Sequence, residues 1–158
     1  MLAVGIVVGM SLSYFVIAAF AAWLFDKPSP QFSRTAYLSV GVISLCIVIS
    51  YIVAALITDV EIGNRFQHAF GGGFAGFLSC FLSCKDTHLD VGRYRFLAIA
   101  LLIVTAMGVG NEILEFFVQS STHLIFSNNT LDTWRDLTSN SVGALAAAAL
   151  LTPFWRNA

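Results

Sequence analysis

The chain has 158 residues, of which 58% are apolar and only 11% charged, whereas a water-facing domain carries about 25% charged residues; so few charges cannot cover a surface in water. Its length bounds it to one compact domain, because a membrane span takes roughly 20 residues and each connection several more. With a net charge of -1 and no cluster of Lys and Arg to follow a phosphate backbone, nucleic acid is excluded as a partner.

Residues 1–25 are apolar, and no Lys or Arg precedes Lys27. A secretory signal opens on a basic stretch and has a shorter apolar core, so a mature transmembrane helix is expected here. Gly5, Gly9 and Ser13 recur every four residues and predict close approach of another helix. Residues 26–34 (DKPSPQFSR) hold two prolines and three charges, which break the helix and require water or headgroups. Residues 35–57 then run for 23 positions without a formal charge, enough to cross about 30 Å of hydrocarbon at about 1.5 Å per residue.

The polar stretch 58–67 (TDVEIGNRFQ) reads as a connection. It leads into a short, glycine-rich third span at 68–84, opened by His68 and carrying a small-xxx-small pair at Gly72 and Gly76; a re-entrant hairpin is the alternative. Residues 85–95 form a polar loop. A fourth span covers 96–119, and Asn111, Glu112 and Glu115 interrupt its outer third. After a loop at 120–128, Asn129 is placed to cap a helix that begins amphipathic and continues as a fifth span at 138–155.

The fold expected is therefore all-α: a polytopic transmembrane bundle of five spans, with 1–158 as a single transmembrane domain. Counting Lys and Arg alone, an outside N-terminus places Lys27, Arg34, Lys85, Arg93, Arg95 and Arg156 on the cytoplasmic side and Arg65 and Arg135 on the other. That asymmetry predicts an N-out, C-in chain in an inner (cytoplasmic) membrane of bacterial type. Cys46, Cys80 and Cys84 lie inside apolar runs and read as small core fillers. Trp23, Trp134 and Trp155 fall near span ends, where aromatic belts anchor a bundle. Asp59 and Glu61 read as interfacial anchors, and His88 and His123 as solvated loop residues.

Under this topology, polar side chains from three segments converge on one level. Glu112 and Glu115 lie three apart, and Asp132, Asp136 and Asn140 lie four apart, so each set forms a stripe on one helix face; Gly143 extends the second stripe and can admit a partner helix. Asn64 and His68 are one turn apart, with Arg65 beside them. Ionisable groups in a span cost several kcal/mol unless paired, protonated or hydrated, so the set needs a shared proton, compensation by Arg65, Arg135 or His68, or a metal ion. Two functional readings fit: general acid/base work by His68 or a glutamate, and binding of a divalent cation through carboxylates and one imidazole. A polar network that only locks the helices together is the bland rival.

The segments NRFQHAFGGGFAGFL, GVGNEILEFFVQ and TLDTWRDLTSNSVGA resemble the VanZ-like membrane proteins, including their uncharacterised inner-membrane branch. In that family a histidine starts one span, a glycine-flanked acidic segment ends the next, and a D-x-x-x-D-x-x-x-N-x-x-G stretch opens the last. The resemblance implicates His68, Glu112, Glu115, Asp132, Asp136, Asn140 and Gly143. Antibiotic resistance, associated with the family's named member, is an analogy only. The catalytic candidates are His68, Glu112, Glu115, Asp132 and Asp136, and the binding candidates are Asn64, Arg65, Arg135 and Asn140. The reading that results is an outward-facing pocket for a polar group of a lipid or cell-envelope precursor, with catalysis left open. A proton- or cation-coupled transporter and a structural or assembly protein are the alternatives.

Overall fold

A computed structural model describes residues 2–26, 33–122 and 130–155. Its regular structure among these residues is all helical, without strands. Helix α1 covers Leu2–Leu24 and α2 covers Arg34–Leu56. The Ser33 hydroxyl starts α2 by accepting a hydrogen bond from the Ala36 N–H at 3.1 Å, which satisfies one of the amides a helix leaves unpaired in its first turn. Helix α5 (Arg93–Thr122) and helix α6 (Thr130–Leu151) complete the bundle, and a 3-10 turn at Thr152–Phe154 follows α6. The cap expected at Asn129, the loop residue His123, and Lys27 and Arg156 lie outside the described residues.

The third segment departs most from expectation. Residues 58–67 are not simply a connection, because α3 begins at Val60 and runs to Phe66. Asp59 caps it, its Oδ1 accepting from the Glu61 and Ile62 amides at 2.9 and 3.1 Å. A π-helical segment (Gln67–Phe74) follows, and then α4 (Ala75–Asp86), with right-handed helical dihedrals at both junctions. One continuous helix thus replaces the hairpin alternative, and His68 lies within it rather than at its start. A Schellman turn ends α4, where the Leu89 amide bonds the Cys84 carbonyl, the His88 amide bonds the Lys85 carbonyl, and His88 takes a left-handed φ of 51°. The His88 side chain is exposed, as expected.

Helix α4 is the centre of the bundle: Ala75 to Phe81 are all buried, and the helix packs on α1, α2, α5 and α6. That position explains its composition, since small residues let neighbours close in, and the hydroxyls of Ser79 and Ser83 bond back to Ala75 and Cys80 carbonyls of their own helix. Cys46 and Cys80 are buried, Cys84 is half-buried, and all are free thiols.

Around this core the outer helices turn large apolar side chains outward, among them Leu45, Ile52, Leu102, Phe116, Phe117 and Leu145. Arg34–Leu56, Arg93–Thr122 and Thr130–Phe154 are each long and apolar enough to cross a membrane, and only 22%, 17% and 28% of their apolar windows are buried inside the protein. A shorter apolar helix lies at Ser11–Leu24. Apolar area exposed on this scale needs a lipid solvent. The chain is a helical membrane protein.

Two expectations about packing fail. The stripe of small residues in α1 does not seat a partner at Gly9, where a Cβ would meet nothing within 4 Å; α1 docks instead through Tyr14, Ile17, Ala18, Ala21 and Ala22. Trp155 is not a belt residue. It is 5% exposed, stacks on Phe96 with ring centroids 3.9 Å apart, and donates its indole N–H to the Val91 carbonyl at 2.8 Å. Trp23 and Trp134, at 76% and 64% exposed, do point outward.

Candidate functional site

Helix α6 and the π segment approach each other backbone to backbone, and this contact builds the site. A Cβ on Gly73 would fall on the backbone carbonyl oxygen of Asn140, and one on Gly143 would fall on that of Ala69. Each helix therefore contributes a glycine where the other's main chain passes, which is the role expected of Gly143. A Cβ on Gly72 would strike the Asn140 side-chain carbonyl oxygen, so that glycine makes room for the amide. Gly76, its expected partner in the motif, is less constrained: a Cβ there would make ordinary contact with Val104 at 3.5 Å.

This close approach brings the expected polar residues together. His68 Nε2 lies 3.5 Å from Asp136 Oδ2. The Asn64 amide donates to Asp136 Oδ1 at 3.0 Å, so one oxygen of that carboxylate is held while the other faces the imidazole. Glu112, from α5, joins them: one ligand atom from each of His68, Glu112 and Asp136 lies within 4.8 Å of the others. Asp136 is 4% exposed and Glu112 9%. The Thr133 hydroxyl is a hydrogen-bonding neighbour of Glu112, but the buried Oε1 of Glu112 finds no partner among the described residues. The same holds for Oδ1 of Asn140, a residue 7% exposed.

The remaining candidates sit around this trio. Glu115 Oε1 accepts from the Asn111 amide one turn away at 2.7 Å, and it is close enough to His68 to act on it electrostatically, as is the half-buried Asp132. Arg65 and Arg135 instead turn to the surface, where both pair with Glu61. Glu61 was expected only to anchor a helix end, but it bridges α3 to α6 through the Arg135 guanidinium, while Arg65, one turn along its own helix, pairs with the same carboxylate.

A cavity of about 90 Å³ opens beside the trio. Ile47, Val104 and Met107 line it with apolar surface, while Tyr51, Gln67, His68, Asn111, Glu115 and Asn140 supply polar groups. Tyr51 and Gln67 were not singled out in the sequence. Gln67 adjoins His68 and could have been found by that adjacency; Tyr51 sits in an uninterrupted apolar run and carries no local signal. Chemically, the arrangement offers an imidazole, the three carboxylates of Glu112, Glu115 and Asp136, and the three amides of Gln67, Asn111 and Asn140 beside a greasy wall, at the end of the bundle where α2 finishes and α6 begins.

No curated protein and no solved structure matches the chain. Residues 1–157 match the family described as predicted membrane protein (DUF2238), and the chain belongs to that family.

Proposed function

We propose that this is a multi-pass protein of a bacterial-type inner membrane, one domain of five spans with its N-terminus outside, whose outward-facing His/Glu/Asp pocket binds the polar group of a lipid or cell-envelope precursor. The observation that carries the reading is the amphiphilic lining of the cavity. Apolar Ile47, Val104 and Met107 face polar Tyr51, Gln67, His68, Asn111, Glu115 and Asn140, and the buried Asn140 Oδ1 on that lining has no partner among the described residues. A headgroup with donor hydrogens would satisfy the amide while its acyl or prenyl portion stays against the apolar wall or in lipid. The VanZ-like pattern running from His68 through Glu112 and Glu115 to Asp132, Asp136, Asn140 and Gly143 supports the same residues.

Within this reading Asn140, Gln67 and Glu115 orient the headgroup, and His68, Glu112 and Asp136 form the reactive corner, able to hold or move a proton at the imidazole or at a carboxylate oxygen. Asp132, Asn64, Arg65 and Arg135 shape the approach from the bundle end. The test is to purify the full chain from its own membrane and identify retained lipids by native mass spectrometry. Wild type should retain a discrete headgroup class, and Asn140→Ala and Glu115→Gln should lose it. Alanine at Glu112 or Asp136, introduced separately, should abolish any phenotype the gene confers without preventing membrane insertion. A wild-type protein carrying only bulk lipid in bulk proportions would overturn the reading.

A further inference from the structure

We propose that His68, Glu112 and Asp136 bind a divalent first-row metal ion, Zn²⁺ or Mn²⁺, at the edge of the headgroup cavity. This deepens the reading above by naming an ion in the same site. The geometry comes first. Three ligand atoms from three different helical segments lie within 4.8 Å of one another, and His68 Nε2 and Asp136 Oδ2 are 3.5 Å apart. Donors around a tetrahedral ion at about 2.0–2.2 Å sit roughly 3.3–3.6 Å from each other. The histidine–aspartate edge already has that separation, and no pair in the trio is more than 4.8 Å apart, so the third donor has little more than about an ångström to close.

A second, independent observation points to a ligand. Glu112 is 9% exposed, and its Oε1, with less than 1 Å² of accessible surface, has no hydrogen-bond partner among the described residues. An oxygen so placed costs free energy unless a proton or cation meets it. Neither nearby guanidinium pairs with Glu112: Arg65 and Arg135 both reach Glu61 at the surface, and the charge of Arg65 acts on Asp136 instead. Asn64 meanwhile holds Asp136 Oδ1 at 3.0 Å and presents Oδ2 to the centre of the trio, as an outer hydrogen bond orients a metal-binding carboxylate.

The donor set selects the ion. One imidazole with two carboxylates suits Zn²⁺ or Mn²⁺, whereas Ca²⁺ and Mg²⁺ favour all-oxygen sites, and among the described residues no cysteine belongs to the ligand group. Three protein donors leave a coordination position open. His68 belongs both to the trio and to the cavity lining, so that position faces the cavity, where an anionic oxygen of a headgroup or a water would complete the shell.

The test uses the full chain in lipid-free detergent micelles, stripped with a chelator, dialysed, and titrated calorimetrically with Zn²⁺ and separately with Mn²⁺. One ion per chain is expected, with affinity reduced roughly 100-fold in each of His68→Gln, Glu112→Gln and Asp136→Asn, and roughly 10-fold or more in Asn64→Ala. The exposed loop variant Asp90→Asn should bind as wild type does. Helical circular dichroism checks that each variant is folded. If wild type binds neither ion, or if the three donor variants bind as tightly as wild type, the metal site is overturned. A chain that retains its headgroup lipid but binds no metal ends this inference alone; one that binds metal but retains no particular lipid ends the headgroup reading alone.

Discussion

Gly143→Ala tests the backbone contact on which the site is built. The added Cβ would collide with the Ala69 carbonyl oxygen and lie only 2.5 Å from its carbonyl carbon and 2.9 Å from its Cα, where carbon atoms normally rest about 3.5–4.0 Å apart. All three struck atoms are main chain, so no rotamer change relieves them; α6 and the π segment must part by about 1 Å. Overpacking of this kind costs typically 1–3 kcal/mol, and separation also forfeits dispersion along the seam. The better helix propensity of alanine returns up to about 1 kcal/mol. A net loss of about 2 kcal/mol is expected, which for a chain of this size lowers the unfolding midpoint by roughly 4–8 °C. The controls are Gly41→Ala, where a Cβ meets nothing within 4 Å, and Gly76→Ala, where it meets Val104 methyls at 3.5 Å; both should match or exceed wild type. Thermal unfolding in detergent, followed by circular dichroism, reads the order. If Gly143→Ala is as stable as the two controls, the main-chain contact described here is wrong.

Two further outcomes follow from other parts of the molecule. Trp155→Ala should cost about 3–5 kcal/mol, because the ring is 5% exposed and stacked on Phe96, while Trp155→Phe keeps the stack, loses the bond to the Val91 carbonyl and should cost about 1 kcal/mol; chemical unfolding in mixed micelles separates them. For topology, single cysteines replacing exposed His88 and Trp134 in a chain with Cys46, Cys80 and Cys84 changed to alanine should react with an impermeant thiol reagent from opposite sides of the membrane, Trp134→Cys from outside; labelling of both from one side would reject the five-span, N-out arrangement.

The apolar runs at 35–57 and 96–119 were legible because crossing hydrocarbon demands long, uncharged stretches, and nothing tertiary competes with that signal. The helix over Val60–Phe66 was hidden for the opposite reason. Glu61, Asn64 and Arg65 look like loop chemistry until α6 supplies Arg135 and Asp136 to pair with them, and that pairing is tertiary. The convergence of His68, Glu112 and Asp136 was readable from spacing, since residues three and four apart share a helix face and each stripe had to face something. Small-residue patterns proved ambiguous. Gly9 and Gly143 carry the same local signal, yet only Gly143 has a backbone opposite it. Trp155 misled because its place near a chain end matches an anchor, whereas its burial depends on Phe96 and Val91 from another helix and loop.

The molecule contains its own comparison for deciding whether the buried acids serve structure or function. Asp86, at the end of α4, is a carboxylate used to join helices: its Oδ2 accepts from Tyr14 of α1 at 2.6 Å and from Ser39 of α2 at 2.7 Å. Hydrogen bonds to a charged group contribute about 1.5–3 kcal/mol, so Asp86→Asn, which weakens both, should lower stability by about 2 kcal/mol. Glu112 is the reverse case, buried with Oε1 unpartnered among the described residues. Under the proposed metal site, a residue held this way reduces the stability of the ligand-free chain in favour of binding. In metal-free detergent, Glu112→Gln should therefore leave the unfolding midpoint unchanged or raise it, and addition of Zn²⁺ or Mn²⁺ should raise the midpoint of wild type while leaving that of the variant where it was. If Glu112→Gln instead destabilises the metal-free chain as much as Asp86→Asn does, then Glu112 locks helices as Asp86 does, and the cluster is scaffolding.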